Sequence, residues 1–153
     1  MKAWNKVGVV GAGTMGSGIA QIAAQAGCEV ILVDSSAEAL QRSQEKLAKV
    51  FARLVEKGRI ASDESESVQQ RITRVTTLES LAPCDMVIEA IVEDMDIKTT
   101  LFQSLEGMVS EDAVLATNTS SLSVTALARG CVRPERVIGC LLYTSDAADD
   151  TNR

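Results

Sequence analysis

Three glycines within six residues constrain the fold of this chain more than any other feature of its sequence. They lie in the segment Gly11-Ala12-Gly13-Thr14-Met15-Gly16. The segment follows the short apolar run Val7–Val10 and opens the Ala- and Ile-rich stretch Thr14–Ala26. A glycine-rich turn from a buried strand into a helix lets the chain turn tightly, lets a ligand approach the backbone and lets the helix pack closely on the strand.

Short apolar runs alternate with helical patterns along the rest of the chain. Strand-like runs recur at Val30–Val33, Ile72–Thr76, Met86–Ala90, Ala113–Thr117 and Arg136–Gly139. Helical patterns cover Ser36–Lys57, Ala61–Arg71, Asp96–Val109 and Ser123–Arg129. This alternation predicts an α/β fold of the Rossmann type, with a doubly wound, mostly parallel sheet and Val7–Val10 in its interior. The first two of these helices form a helical excursion after the second strand, and we expect one domain over residues 1–139.

The glycine segment and an acidic residue after the second strand together indicate a dinucleotide site. The N–H groups at the start of a helix, with their partial positive charge, bind phosphate. Asp34 ends the second strand, where a carboxylate accepts hydrogen bonds from ribose hydroxyls and repels a 2′-phosphate. Ser35 and Ser36 follow it, with no adjacent arginine. The pattern predicts NAD as the cofactor rather than NADP. The competing interpretations are a glycine turn that binds nothing and an aspartate that only forms a surface turn.

Composition excludes several other functions. The net charge of −6 disfavours nucleic acid as a partner, and no apolar run approaches the roughly 20 residues that span a membrane. The chain has no histidine, which excludes Ser-His-Asp and Cys-His catalysis and any histidine metal site. The four cysteines show no CxxC spacing and are expected to be reduced thiols of a cytoplasmic protein. We therefore expect no metal site, and we expect no signal peptide because the strand pattern begins at once.

Several further segments carry a resemblance to a known family. They are Gly11–Ala20, Asp34, Glu89-Ala90-Ile91-Val92-Glu93, Lys98 and Asn118-Thr119-Ser120-Ser121-Leu122. With them the chain resembles the L-3-hydroxyacyl-CoA dehydrogenases from Lys6 to about Gly139. The resemblance implies a two-domain, homodimeric enzyme of fatty-acid β-oxidation or a related acyl-CoA pathway. Such an enzyme oxidises a 3-hydroxyacyl-CoA to the 3-ketoacyl-CoA and reduces NAD.

The same resemblance implies roles for individual residues. Ala90, Glu93, Lys98 and Asn118 would line the cofactor, and Ser120 would approach the nicotinamide and the substrate hydroxyl. Lys57 is the weaker candidate, as a contact for the phosphates of CoA. From the residues alone, three plainer interpretations stay open. Glu93 and Lys98 could form a surface ion pair, the cluster around Ser120 could cap the next helix, and Lys57 could belong to a solvated basic face with Lys46, Lys49 and Arg53.

The last fourteen residues depart from the family pattern. The family's catalytic histidine would fall at Leu141, and its glutamate partner and helical second domain have no counterpart in these 153 residues. The stretch Cys140–Asp149 is one translation of TGT CTC TTA TAC ACA TCT GAC GCT GCC GAC, which resembles a sequencing-library adapter. We therefore expect residues 140–153 to be a non-native tail, and we expect Tyr143–Arg153 to pack poorly.

Two functions of different classes follow. The first is the NAD-binding domain of an NAD-dependent 3-hydroxyacyl-CoA dehydrogenase, inactive as this fragment, and monomeric or weakly self-associating. The alternative is a stand-alone NAD(H)-binding module without catalysis. Another β-hydroxyacid dehydrogenase is disfavoured by the segment Asn118–Leu122.

Overall fold

The computed structural model describes residues 4–118 and 121–139, with the backbone alone for 121–123. The strands of this part form a six-stranded, all-parallel sheet in the order β3-β2-β1-β4-β5-β6. They are β1 (Lys6–Val10), β2 (Glu29–Val33), β3 (Ile72–Val75), β4 (Met86–Glu89), β5 (Val114–Thr117) and β6 (Val137–Gly139). Strand β1 lies between β2 and β4, so the predicted interior position of Val7–Val10 and the doubly wound Rossmann topology are both confirmed.

The described helices connect these strands as the sequence pattern predicts. They are α1 (Thr14–Gln25), α2 (Ala37–Glu56), α3 (Ser62–Gln70), α4 (Met95–Met108) and α5 (Ser121–Arg129). Two short 3-10 turns, Leu78–Leu81 and Pro134–Arg136, were not predicted because three or four residues are too few to show a repeating pattern. Helix α5 begins at Ser121, two residues before the predicted start. The tail predicted as non-native, residues 140–153, lies outside the described residues.

Alternation along β1 divides the core between the two faces of the sheet. Val7 and Val9 pack into a cluster with α1, α2 and α3, whereas Val10 faces a second cluster with α4 and α5. At Gly8 the second face leaves no room for a side chain, because a Cβ there would lie 2.5 Å from Leu81 and 3.1 Å from Cys84. Both faces are therefore covered, as a parallel sheet requires.

Helices α2 and α3 form the excursion after the second strand. The Ser36 side chain accepts a hydrogen bond from the Ala39 N–H (3.1 Å) and caps α2 at its amino end. One stripe of α2 buries Leu40, Leu47 and Phe51, and its Ser43 hydroxyl meets that of Ser17 on α1 at 2.7 Å. The four basic residues considered above, Lys46, Lys49, Arg53 and Lys57, are all exposed.

The sequence disfavours both a membrane and a metal ion as partners of this chain. None of the helices described is both long and apolar enough to cross a membrane. Within the same ranges no three Cys, Asp or Glu side chains form a group that could hold a metal ion. Cys84 is buried in the core, and this burial raises the pKa of its thiol to about 11.

We predict opposite effects of alanine at two glycines of α1. A Cβ at Gly16 would lie 1.7 Å from the Gly11 carbonyl oxygen, so Gly16→Ala should reduce the free energy of unfolding by about 1–3 kcal/mol. A Cβ at Gly18 would meet no described atom within 4 Å beyond its own helix, so Gly18→Ala should raise it by about 0.5–1 kcal/mol. Urea unfolding monitored by circular dichroism measures both. Equal shifts in the two variants would contradict the close packing of α1 on β1.

Candidate functional site

The glycine segment lies at the carboxyl end of β1, between β2 and β4, where ligands bind in sheets of this kind. Gly11 has φ +110°, and its N–H donates to the Val33 carbonyl oxygen at 2.8 Å. A Cβ on Gly11 would also lie 2.6 Å from the Ala90 carbonyl oxygen, so glycine is required for both reasons. By contrast, a Cβ on Gly13 would meet no described atom within 4 Å apart from its chain neighbours, which leaves the backbone open to a ligand.

The first turn of α1 faces this opening. Gly13 is the N-cap and carries no side chain that could cap the first N–H groups. Thr14 and Met15 follow it and are exposed. The uncapped N–H groups and the partial positive charge of the helix end are therefore available to an anion such as a diphosphate.

Asp34 binds the glycine segment itself, which sequence reasoning did not anticipate. Its Oδ2 accepts from the Ala12 N–H at 2.8 Å, and its Oδ1 accepts from the Ser36 N–H at 2.9 Å. The carboxylate thus holds the glycine turn and the start of α2 in place. An ionised carboxylate has about four acceptor positions, so it retains the capacity to bind ribose hydroxyls.

A cleft of about 230 Å³ lies beside Asp34. It is lined by Val10, Gly11, Val33, Asp34, Ser35, Thr76, Leu78 and Ile91. Apolar walls with a single carboxylate suit an adenosine, whose base is apolar on its faces and whose ribose donates hydroxyl groups. Larger clefts exist, such as one of about 420 Å³ near Lys6 and Arg71, but Lys6 and Glu29 place it at the opposite, amino-terminal edge of the sheet.

A buried charge cluster occupies the carboxyl end of β4, on the other side of the glycine segment. Lys98 of α4 is 1% exposed, and its Nζ lies 3.1 Å from Glu89 Oε2 and 2.8 Å from Glu93 Oε1. Glu89 is 0% exposed, whereas the Glu93 side chain is 69% exposed. The Glu93–Lys98 pair considered from the sequence therefore exists, but its lysine is buried and the pair is not a surface one.

Glu89 is the functional candidate that sequence reasoning left without a role. Its Oε2 also accepts from the Ile91 N–H at 2.7 Å, and its Oε1 accepts from the Thr117 hydroxyl. The available signal was a glutamate that directly continues the apolar run Met86–Ile88. A carboxylate ending a buried strand is expensive unless it is paired and hydrogen-bonded, as this one is.

Asn118 extends the same edge beyond β5. Its N–H donates to the Glu89 carbonyl oxygen at 3.1 Å, and its side-chain Oδ1 is buried with no hydrogen-bond partner in the part of the chain described. Buried acceptors in proteins are nearly always satisfied, so a donor from water or from a ligand is the expected partner. Ser120 and Leu141 lie outside the described residues.

Of the remaining candidates, Ala90 lies at the edge with the glycine segment and Lys57 does not. Ala90 belongs to the edge, since its N–H donates to Val10 and its carbonyl oxygen borders Gly11. Lys57 is instead the C-cap of α2, a helix of 20 residues. At 1.5 Å per residue, Lys57 lies about 30 Å along the helix from the Ser36 end. The structure therefore does not bring Lys57 together with Asp34.

One protein family matches nearly the whole of the described chain. The model of the 3-hydroxyacyl-CoA dehydrogenase NAD-binding domain matches residues 6–142. The chain belongs to this family. The predicted resemblance to the 3-hydroxyacyl-CoA dehydrogenases is thereby confirmed, and the cofactor of the family domain is NAD, as predicted.

Individual relatives agree with the family match. The chain is 46% identical over 134 residues to the probable 3-hydroxybutyryl-CoA dehydrogenase of Deinococcus radiodurans, covering 88% of this chain and 48% of that protein. It is 36% identical over 135 residues to the fatty acid oxidation complex subunit alpha of Psychrobacter cryohalolentis, covering 88% of this chain and 19% of that protein. The crystal structure of 3-hydroxybutyryl-CoA dehydrogenase from Escherichia coli superposes with a TM-score of 0.87 at 40% identity, covering 90% of this chain and 29% of that one. The chain thus spans about half or less of the length of these relatives.

The residues of the described site fit NAD. The open backbone at Gly13 and the uncapped start of α1 suit a diphosphate, and the cleft with Asp34 suits the adenosine. Asn118, whose Oδ1 has no partner in the described part of the chain, is bonded through its backbone N–H to the Glu89 carbonyl oxygen, on the side of the glycine segment away from that cleft. All of these features lie along one edge of the sheet, in the order in which an extended dinucleotide would meet them.

We predict that Asp34 stabilises the protein even without cofactor. Asp34→Ala removes the acceptor of the Ala12 and Ser36 N–H groups, and should lower the free energy of unfolding by about 1–3 kcal/mol. Ser36→Ala, which removes only the cap of α2, should lower it by about 1 kcal/mol. Urea unfolding of the ligand-free variants gives the comparison. A smaller loss for Asp34→Ala than for Ser36→Ala would show that the aspartate does not hold the turn.

Proposed function

We propose that this chain is the cofactor-binding half of an NAD-dependent 3-hydroxyacyl-CoA dehydrogenase, which interconverts a 3-hydroxyacyl-CoA with the 3-ketoacyl-CoA. The observation that carries the proposal is the single sheet edge on which the glycine segment lies between Asp34 on one side and the Glu89–Lys98–Glu93 cluster on the other. NAD, when bound there, supplies the hydride acceptor. The chain's own residues bind it and orient it.

The residues that bind each part of NAD follow one another in the order of the strands. Asp34, at the end of β2, accepts hydrogen bonds from the hydroxyls of the adenosine ribose. Gly13 and the first turn of α1 hold the diphosphate. Glu93 and Asn118, which follow β4 and β5, serve the nicotinamide half: the carboxylate accepts from ribose hydroxyls and the amide oxygen accepts from an N–H donor. Ser120 follows Asn118 by two residues and orients the substrate hydroxyl.

The substrate is an acyl-CoA thioester. Two kinds of relative support this proposal, since one is named for a four-carbon acyl-CoA and another for a fatty acid oxidation complex. The pathway proposed is accordingly β-oxidation or a related acyl-CoA route in the cytoplasm. Lys57, exposed at the far end of α2, is the proposed contact for CoA phosphates. A homodimer is proposed for the full-length enzyme, and a monomer or weakly associating species for residues 1–153.

These 153 residues are proposed to bind NAD(H) without turning over substrate. Oxidation of a 3-hydroxyl requires a group that removes its proton, and a positioned base contributes about 10²–10⁴-fold to the rate. The sequence has no histidine for this task, and an isolated serine hydroxyl such as that of Ser120 has too high a pKa to replace it. Residues 1–139 are the proposed extent of the NAD-binding domain.

We predict that Asp34 sets the preference for NADH over NADPH. The double variant Asp34→Ala/Ser35→Arg removes the charge that repels a 2′-phosphate and adds one that binds it, so the ratio of the two dissociation constants should shift toward NADPH by about tenfold or more. Ser35→Arg alone keeps the carboxylate and should shift the ratio far less. Fluorescence titration with both nucleotides measures it. Tighter binding of NADPH than NADH by the unmodified chain would overturn the role given to Asp34.

We predict no turnover by the chain alone and recovery when a family-type second domain follows Gly139. The assay is oxidation of NADH in the presence of acetoacetyl-CoA. Because the added segment supplies both the base and the closure over the acyl group, the fusion should gain activity that Leu141→His alone does not. Turnover by the 153-residue chain, in a preparation free of host dehydrogenase, would contradict the proposal. Binding of NADH with no activity in the fusion would favour a stand-alone binding module.

A further inference from the structure

The buried carboxylate of Glu89 joins three separate segments at the cofactor edge. It accepts from the Ile91 N–H in the loop after β4 and from the Thr117 hydroxyl at the end of β5, and it pairs with Lys98 on α4. Its backbone carbonyl oxygen accepts from the Asn118 N–H. One side chain therefore fixes how the β4 loop, β5 and α4 lie relative to one another.

Stability alone does not account for this pair. Two opposite charges at 0% and 1% exposure lose their hydration, and well-packed apolar residues of similar volume commonly stabilise a core as much or more. The ammonium of Lys98 also reaches a second carboxylate, that of the largely exposed Glu93. The lysine thus connects a fixed internal charge to a largely exposed carboxylate at the carboxyl end of β4.

The segment held in this way forms one wall of the glycine turn. The Ala90 carbonyl oxygen lies against Gly11, and Ile91 lines the same cleft as Gly11 and Asp34. Glu93 follows two residues after Ile91, and Asp94 begins α4 as its N-cap, accepting from the Ile97 N–H at 3.1 Å. Residues 90–94 are therefore held at both ends, by Glu89 at one and by α4 at the other.

We propose that Glu89 is a positioning residue for the nicotinamide half of NAD, acting through Lys98 on Glu93. The inference rests on the proposed binding of NAD along this edge. Glu89 need not touch the cofactor. It holds the ammonium that orients the Glu93 carboxylate, and it fixes the loop that carries Glu93. The adenosine side depends on Asp34 and the glycine segment. Ile91 also lines its cleft, but an amide oxygen at residue 89 can still accept from the Ile91 N–H, so that wall does not require the charge of Glu89.

The test compares NADH with ADP, which shares the adenosine and diphosphate but lacks the nicotinamide riboside. Glu89→Gln keeps the size of the side chain and removes its charge. We expect this variant of the 153-residue chain to bind NADH about tenfold more weakly while its affinity for ADP changes less than about twofold. Isothermal titration calorimetry measures both. Equal losses for the two ligands, or no loss for either, would overturn the proposal.

Two further variants separate positioning from folding. Lys98→Met alone removes the link to Glu93 and should weaken NADH binding but not ADP binding. Glu89→Gln/Lys98→Met removes both charges, so its melting temperature should recover relative to Glu89→Gln, while its loss of NADH affinity should be no larger than that of Lys98→Met alone. If the losses of NADH affinity in the two single variants instead add up in the double variant, or if Lys98→Met leaves NADH affinity unchanged, Glu89 does not act through Lys98 and the proposal fails. This double variant also keeps the test decisive where Glu89→Gln alone folds poorly.

Glu106→Gln is the matched control. Glu106 also ties α4 to a neighbouring loop, since its carboxylate accepts from the Val132 and Arg133 N–H groups at 2.8 and 2.6 Å, but it lies near the other end of the helix. Its loss should leave the ratio of NADH to ADP affinity unchanged, and a change as large as that of Glu89→Gln would overturn the proposal. Failure of the unmodified chain to bind ADP or NADH would instead refute NAD binding itself, which distinguishes the two failures.

Discussion

The approach of α1 to β1 at Gly16 and the Gly11 carbonyl determines where the rest of the site lies. With no side chain at residue 16, α1 packs directly against the Gly11 carbonyl oxygen, so the helix begins at the carboxyl end of β1. The turn is then tied sideways to β2 through the Gly11 and Ala12 N–H groups, which donate to Val33 and Asp34. The exposed backbone of the glycine turn is in this way positioned by main-chain packing on β1 and β2, and side chains such as Asp34 are needed only at its flanks.

The helices and strands were predictable from the sequence because their apolar residues repeat at regular spacing and capping or turn residues mark their ends. Four-residue apolar runs mark strands buried on both faces, and the Ser36 cap and the apolar stripe of α2 mark a helix on the surface of the sheet. The prediction was weakest where the signal is short. The 3-10 turn at Leu78–Leu81 has no period to detect, and α5 begins two residues before its predicted start.

The candidate site was predictable in its backbone part and less so in its side-chain contacts. The spacing of Gly11, Gly13 and Gly16 and the position of Asp34 follow from local sequence. The contacts of Glu89 do not, because Lys98 is nine residues away and Thr117 lies on another strand. Sequence distance alone gave equal weight to a solvated Glu93–Lys98 pair. Only the packing of α4 against the sheet shows that the lysine is buried.

Asp34 and Glu89 are carboxylates on opposite flanks of the same turn. Because their burial differs, Asp34 can contact a ligand directly and Glu89 cannot. Asp34 is partly exposed, so two of its acceptor positions hold backbone N–H groups while others face the cleft. It therefore contributes to the fold and can contact a ligand directly. Glu89 is fully buried and its acceptors are directed at Ile91, Lys98 and Thr117, so any influence on a ligand must pass through those groups. For this reason a change at Asp34 alters affinity and turn geometry together, and specificity measured there has to be interpreted beside the stability of the ligand-free variant. At Glu89 the effects on stability and on ligand affinity act partly through different partners. The Thr117 hydroxyl ties Glu89 to the fold, whereas the Ile91 N–H and the Lys98 ammonium connect it to the segment and the carboxylate of Glu93.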